Sequence, residues 1–245
     1  MKETYKDGVI LKNKEIFPNI FLMSLDIKTE AKSGQFFMLR TGDTLDPLLP
    51  RPLSITSTRN GCTAFLYEVK GKGTNLISRL NVGEKIKVFG PLGSGFEIPR
   101  KGKMAIVSGG IGIAPMLSLV EELGKLSDTD LYAGFRTGSY LIDYLNPLVK
   151  NVFIATEDGS VGEKGLITDI FKPEGYDMVF TCGPVPMMET VYKKTKGIVP
   201  VQISMERRMA CGFGACLGCS IKTSKGMRRV CKEGPVFWGE EVFYG

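Results

Sequence analysis

The run MAIVSGGIGIAPMLSLV, residues 104–120, holds seventeen consecutive uncharged residues and decides how the chain is read. Its first five residues, Met104 to Ser108, do not alternate between apolar and polar, as in a strand covered on both faces. Glycines at 109, 110 and 112 interrupt the run, and Pro115 then stands where proline suits the first turn of a helix. A membrane span needs about 20 predominantly apolar residues, and a stretch this short and rich in glycine does not supply them. The run therefore predicts a buried strand, a glycine turn and a buried helix over 115–126. Glycines at such a junction let the main chain approach an anion, and the helix N-terminus supplies positive potential. The spacing differs from the common G-x-G-x-x-G dinucleotide fingerprint.

Downstream, the pattern of strand and helix repeats. Strands are predicted at Asp130 to Phe135, Asn151 to Thr156 and Met178 to Thr181, with a helix over Val185 to Lys194 and a final strand over Val199 to Ser204. Non-alternating strands separated by helices form a parallel sheet covered on both faces. Ligands gather at the carboxyl ends of such strands, where Thr181-Cys182-Gly183-Pro184 and Glu157-Asp158-Gly159-Ser160 fall. Cys182 reads either as a polarizable sulfur beside a ligand or as a buried structural thiol.

Upstream, short apolar runs alternate with turn signals. Six strands are predicted: Tyr5 to Lys12, Ile20 to Ile27, Phe36 to Arg40, Leu53 to Thr58, Thr63 to Glu68 and Lys85 to Gly90. Asn60-Gly61 marks a hairpin between two of them, and a short helix over Asn75 to Leu80 takes Thr74 as its cap. Six such strands suggest an antiparallel barrel. The expected fold is thus β plus α/β, with a barrel over 1–98, a parallel-sheet nucleotide domain over 99–204 and a cysteine-rich segment over 205–245.

That last segment carries four of the six cysteines, Cys211, Cys216, Cys219 and Cys231, spaced x4, x2 and x11. The first three follow the plant-type 2Fe-2S pattern, in which a tight loop presents three thiolates and a distant residue supplies the fourth. Gly212, Gly214 and Gly218 leave room for main-chain N–H groups to turn toward sulfur. Zinc also accepts four thiolates, but structural zinc sites usually show two closely spaced pairs, whereas this chain has a triple and a single.

Composition narrows the chemistry. The chain has 245 residues and no histidine, which excludes imidazole general bases, Ser-His-Asp and Cys-His dyads and His-bound metals. The net charge of +6 is mild and dispersed, which favours an anionic small ligand and argues against a nucleic-acid partner. Charged residues run through the first 26 positions, so neither a signal peptide nor a membrane anchor is expected, and six cysteines in a cytoplasmic protein point to metal or redox work.

Arg51-Pro52-Leu53-Ser54, followed by Leu66-Tyr67-Glu68-Val69 and Gly73-Thr74, resembles the flavin-binding signature of the ferredoxin reductase-like family. A guanidinium pairs with a diphosphate, and a glycine turn opening a helix offers N–H groups to the same anion. The family usually has an aromatic residue where Leu53 stands. The Gly109-Gly110-Ile111-Gly112 turn ending in Ala114-Pro115 is similar to that family's nicotinamide-nucleotide loop, and its Cys-Gly-Pro turn corresponds to Cys182, Gly183 and Pro184. Together with Glu206-Arg207-Arg208-Met209-Ala210-Cys211-Gly212-Phe213-Gly214-Ala215-Cys216, the three modules resemble the electron-transfer subunits of dihydroorotate dehydrogenase B.

The resemblance implies bound FAD, a 2Fe-2S cluster on the four tail cysteines, and NAD as an exchangeable substrate, with Cys182 beside the hydride path. It implies a catalytic partner that holds FMN and oxidises dihydroorotate in pyrimidine biosynthesis, in a heterotetramer of two copies of each subunit. Reductase subunits of hydrogenases, sulfite reductases and ferredoxin oxidoreductases share the modules and are the alternative. Either way, a flavin between a cluster and a nicotinamide converts single electrons into hydride.

Overall fold

The computed structural model describes residues 5–42, 46–124 and 127–244. Six antiparallel strands close into a barrel: β1 (Lys6–Phe17), β2 (Ile20–Leu25), β3 (Phe36–Arg40), β4 (Arg51–Ser57), β5 (Thr63–Glu68) and β6 (Lys85–Leu92), in the order β1-β2-β5-β4-β3-β6. Alternate residues point inward, so Ile10, Met23, Leu25, Phe37, Leu39, Ile55, Phe65 and Val88 fill the interior. β1 runs five residues beyond its predicted end. Its second half, Asn13 to Phe17, is largely polar or half-exposed, and pairing with β2 rather than burial makes it a strand.

The short helix α1 (Lys72–Ser78) starts three residues earlier than predicted, with Gly71 as its cap. Thr74 sits one turn inside, where its hydroxyl oxygen accepts the Lys70 and Gly71 main-chain N–H groups at 3.0 and 3.3 Å. The same residue therefore serves the same end of the helix from the opposite side of the boundary.

After the barrel come β7 (Gly102–Gly109), α2 (Ala114–Leu123), β8 (Ser127–Phe135), α3 (Ile142–Leu145), β9 (Asn151–Thr156), β10 (Glu163–Lys164), α4 (Ile167–Ile170), β11 (Met178–Cys182), α5 (Val185–Thr195) and β12 (Val201–Ser204). Their sheet is parallel, in the order β10-β9-β8-β7-β11-β12. α2 ends at Leu123, with Gly124 at φ +54°, and the last two residues of the predicted helix lie outside the described residues. Val199 precedes β12 instead of opening it, and β12 is not the final strand. The tail forms a hairpin, β13 (Ser220–Thr223) and β14 (Gly226–Arg229), then β15 (Val236–Trp238), which adds to β12 antiparallel, and α6 (Gly239–Val242).

Two apolar layers cover the sheet. One joins Ala105, Val107, Val179 and Ile203 to α5 and to tail residues Cys219, Ile221, Val230, Cys231 and Phe237, and reaches the barrel wall at Phe36, Met38, Phe89 and Leu92. The other joins Met104, Ile106 and Phe180 to α2 and to Ile20, Leu22 and Leu66 of the barrel. Among the described residues no helix is long and apolar enough to cross a membrane.

At the amino ends of the strands, buried Asp130 accepts Tyr176 Oη at 2.7 Å and Asn151 Nδ2 at 2.8 Å, and Lys103 Nζ lies 3.8 Å away. A buried carboxylate survives only when bonded in this way. Asp130→Asn is expected to lower stability by about 1–3 kcal/mol, read as a fall in denaturant midpoint. An unchanged midpoint would mean that the network contributes nothing net.

Candidate functional site

The parallel register sets Cys182 of β11 between Ser108 of β7 and Ser204 of β12. All three stand at the carboxyl ends of their strands, on one row. Burial pushes the Cys182 thiol up to about 12, the Glu206 carboxylate adds in the same direction and the Ser204 hydroxyl opposes it. The thiol is therefore protonated at neutral pH and presents a neutral, polarizable surface. Among the described residues, Ser108 Oγ and Thr181 Oγ1 are buried with no hydrogen-bond partner. The register puts the two hydroxyls on opposite faces of the sheet, Ser108 on the face of Cys182 and Thr181 on that of Val107.

The glycine turn lies directly on this row. A Cβ on Gly112 would stand 2.3 Å from the Cys182 carbonyl oxygen and 2.7 Å from Gly183 N; one on Gly109 would meet Met187 Sδ at 2.6 Å and Pro184 Cδ at 2.9 Å. Gly110, at φ +54°, needs the left-handed region that glycine occupies freely. Gly109, Gly110, Gly112, Pro115, Cys182, Gly183 and Pro184 are thus brought together: Gly109 and Gly112 let the two turns pack against each other, and Gly110 alone has open space beside it. Tyr140 closes the side of the cleft. Its ring stands 5.5 Å from Phe17 of the barrel and 4.8 Å from Phe135, and its hydroxyl 4.0 Å from a Cβ on Gly110.

In the barrel, the Arg51 guanidinium lies against Gly73, where a Cβ would come within 2.1 Å of Nε. Only glycine leaves that cation room beside the first turn of α1. Arg51 Nη1 donates to the Leu49 carbonyl, and to that of Pro50 at 3.3 Å. Pro52 and Ser54 are half-buried next to it. Leu53 and Tyr67 point into the barrel core, Tyr67 donating to Asn13 Oδ1 at 2.9 Å, so contact from these two to an outside ligand is through main chain. Leu66 packs in the seam toward α2, Glu68 pairs with Lys70 at 2.9 Å, and Val69 N–H donates to Asn19. A guanidinium in a glycine cradle fits a diphosphate group such as that of FAD.

In the tail, the Cys216 N–H donates to Cys211 Sγ at 3.5 Å and the Cys231 N–H to Cys219 Sγ at 3.4 Å. These main-chain bonds join residue 216 to the Cys211 sulfur and residue 231 to the Cys219 sulfur. Burial raises the Cys211 thiol, but N–H groups of Cys216, Phe213 and Ala215 outweigh it and bring it down to about 6. Burial and the Cys219 sulfur push Cys231 up to about 12. Main-chain donors aimed at sulfur favour thiolate and suit a metal cluster. A triple of closely spaced cysteines with a distant fourth fits a 2Fe-2S cluster better than structural zinc, which usually takes two close pairs. Gly212 and Gly214, at φ +79° and +91°, shape the loop, and Arg229 fastens it by donating to the Gly214 carbonyl at 2.9 Å while pairing with Glu233.

Ser108, Ser204 and Tyr140 were not evident in the sequence as site residues. The serines join the site only through register and Tyr140 through packing against the barrel, and neither signal exists in one linear chain; Glu206, part of the tail motif, acts on Cys182 as a nearby charge.

Residues 206–243 match the model of the iron-sulfur cluster binding domain of dihydroorotate dehydrogenase B. The chain is 49% identical over 244 residues to the dihydroorotate dehydrogenase B (NAD(+)) electron transfer subunit of Clostridium acetobutylicum, covering 99% of this chain and 98% of that one. It is 41% identical to the subunit of that name from Clostridium perfringens, with 99% of both chains covered. Among solved structures, a chain of the NADH-dependent reduced ferredoxin-NADP oxidoreductase, studied for flavin-based electron bifurcation, superposes with a TM-score of 0.86 at 29% identity, over 99% of this chain and 91% of that one. A Neisseria gonorrhoeae ferredoxin NADP+ reductase with bound FAD and NADP shares the fold alone, with a TM-score of 0.66 at 19% identity, over 84% and 95% of the two chains.

Proposed function

Because the chain belongs to the family of dihydroorotate dehydrogenase B electron-transfer subunits, we propose that it carries electrons from a dihydroorotate-oxidising catalytic subunit to NAD+. Three segments divide the work: residues 1–98 hold FAD, 99–204 the nicotinamide nucleotide and 205–245 the 2Fe-2S cluster. The observation that carries this reading is the apolar layer in which barrel, sheet and tail meet. The glycine turn rests on the Cys182 turn, and the apolar layer around Cys219 and Cys231 continues into the barrel wall.

Bound flavin supplies the exchange between single electrons and a hydride. The protein's part is placement. Arg51, with Ser54 beside it and α1 opening at Gly73, holds the FAD diphosphate. Leu53, Leu66, Tyr67, Glu68, Val69 and Thr74 offer main chain and the helix end around it. Gly109, Gly110 and Gly112, with Pro115, hold the nicotinamide nucleotide pyrophosphate. Gly183 and Pro184 fix Cys182 at the end of β11, where it would give the nicotinamide a neutral wall that takes no proton. Cys211, Cys216, Cys219 and Cys231 would hold the cluster, which supplies single-electron transfer.

A proton acceptor for substrate oxidation is not needed in this chain, which accords with its lack of histidine. That task falls to the partner, which we take to hold FMN and to assemble with this chain as a heterotetramer of two copies each in the cytoplasm. The test is coexpression with an FMN-binding dihydroorotate oxidase. The reading expects a copurifying complex that reduces NAD+ on addition of dihydroorotate, while the oxidase alone does not. A chain that leaves the oxidase unbound and joins a hydrogenase, sulfite reductase or ferredoxin oxidoreductase instead would overturn it.

A further inference from the structure

One face of α2 is bonded to the barrel through Ser118, Glu121 and Glu122, whose i, i+3 and i+4 spacing places them side by side. Ser118 Oγ lies 3.1 Å from the Ile55 carbonyl oxygen of β4 and 2.9 Å from that of Pro115. Glu121 accepts the Ser57 hydroxyl, at 3.0 and 2.9 Å from its two oxygens, and pairs with Arg59 Nε at 2.9 Å. Glu122 accepts the Ser33 main-chain N–H at 3.1 Å and also its hydroxyl.

The placement of these bonds matters because of what the two elements carry. β4 begins at Arg51, in the FAD cradle, and α2 begins two residues after Gly112, in the nucleotide turn. Near the start of α2 the seam is apolar, closed by Leu66, Leu117 and Ile113. Toward Glu121 it opens into a cavity of about 230 Å³ lined by Ser33, Thr58, Arg59, Ser118, Glu121 and Glu122. Apolar packing is non-directional and does not fix the depth of α2 along β4, whereas a hydrogen-bonded carboxylate does. The Glu121 side chain is only 12% exposed. A carboxylate there costs stability unless bonded, and buried polar groups of this kind are best attested as devices that select one arrangement.

We infer that Glu121, seated on Ser57 and Arg59, is a positioning residue that fixes how α2 docks on β4 and so sets the spacing between the FAD held by the barrel and the nicotinamide held by the glycine turn. The inference rests on the cofactor assignment made above. About nine helical residues separate Glu121 from Gly112, roughly 13 Å of rigid rod, so a shift at one end is delivered to the other. Hydride transfer is sensitive to such a shift, since a misplacement of about 1 Å costs on the order of a hundredfold in rate.

The test uses the full chain loaded with FAD and cluster. Glu121→Ala is expected to keep flavin and iron contents, to bind NADH within about twofold of the unaltered chain, and to slow single-turnover reduction of the flavin by NADH about tenfold or more. Glu121→Gln, which still accepts the Ser57 hydroxyl, is expected to recover most of that rate. In the flavin-free chain, Glu121→Ala is expected to speed amide exchange over residues 109–114. Asp130→Asn, at the opposite end of the sheet, supplies a destabilised control with an unaltered rate. A Glu121→Ala chain that melts earlier yet is reduced at the original rate overturns the inference, as does equal slowing by Asp130→Asn. If the unaltered chain binds no flavin or is not reduced by NADH, the cofactor assignment fails instead, and amide exchange decides the docking role: unchanged exchange over 109–114 overturns it.

Discussion

Cys216→Ser is expected to strip iron and its visible absorption from the chain and to abolish dihydroorotate-linked NAD+ reduction by the complex. NADH oxidation with an artificial acceptor should stay within about twofold of the original. The first effect follows from the ligand set. In the proposed ligation Cys216 is one of four thiolates, and a serine hydroxyl is a much poorer ligand for iron than a cysteine thiolate. The second follows from where Cys216 stands. It is exposed, on a loop whose removal from the ligand set leaves the barrel, the glycine turn and β15 in place. Cys219 and Cys231 would be poorer choices, since both belong to the apolar layer shared with the sheet, and serine there adds a buried hydroxyl costing about 1–3 kcal/mol. Iron content by colorimetry, paired with the two activities, decides the matter. Full iron in the variant would remove Cys216 from the ligands. Loss of the artificial-acceptor activity with flavin still bound would show that the NADH route runs through the tail.

What one sequence discloses here follows the range of the interactions involved. The barrel strands and the strand-turn-helix at 104–120 are encoded by neighbours a few residues apart, and their alternation or its lack is readable directly. The four tail cysteines are legible for the same reason, because metal ligand spacing is local. β1 beyond Lys12 is not, since polar residues over 13–15 gain strand geometry from β2. β15 is hidden because Val236 to Trp238 is three residues long, and it becomes a strand only by adding to β12 after an excursion of 31 residues. Ser108 and Ser204 carry no local signal, and their role depends on a register that pairs Cys182 with both. Leu53 illustrates the reverse case. The motif points to it as a ligand contact, but strand alternation turns its side chain into the core with Ile55 and leaves its main chain for that task.

The second large effect concerns the glycine turn. Gly112→Ala is expected to lower NADH-dependent flavin reduction by about a hundredfold or more while FAD and iron stay bound. The added methyl would sit 2.3 Å from the Cys182 carbonyl oxygen, 2.5 Å from its carbon and 2.7 Å from Gly183 N. All three neighbours are main chain, so no rotamer relieves the clash, and the turn after β7 must part from the turn after β11. Carbon and oxygen atoms pack at about 3.5 Å, so the parting is on the order of 1 Å. That parting separates the glycine turn, proposed to seat the pyrophosphate, from the Cys182 turn. The barrel cradle at Arg51 and Gly73 and the tail thiols lie on other elements and do not take up the strain. The substitution therefore separates nicotinamide use from cofactor retention, as Cys216→Ser separates cluster retention from nicotinamide use. Stopped-flow reduction by NADH, with flavin and iron assayed on the same sample, measures both sides. An alanine variant reduced at the original rate would mean that the two turns are not the nicotinamide site. Loss of FAD along with the rate would mean that the turn supports the barrel rather than the nucleotide.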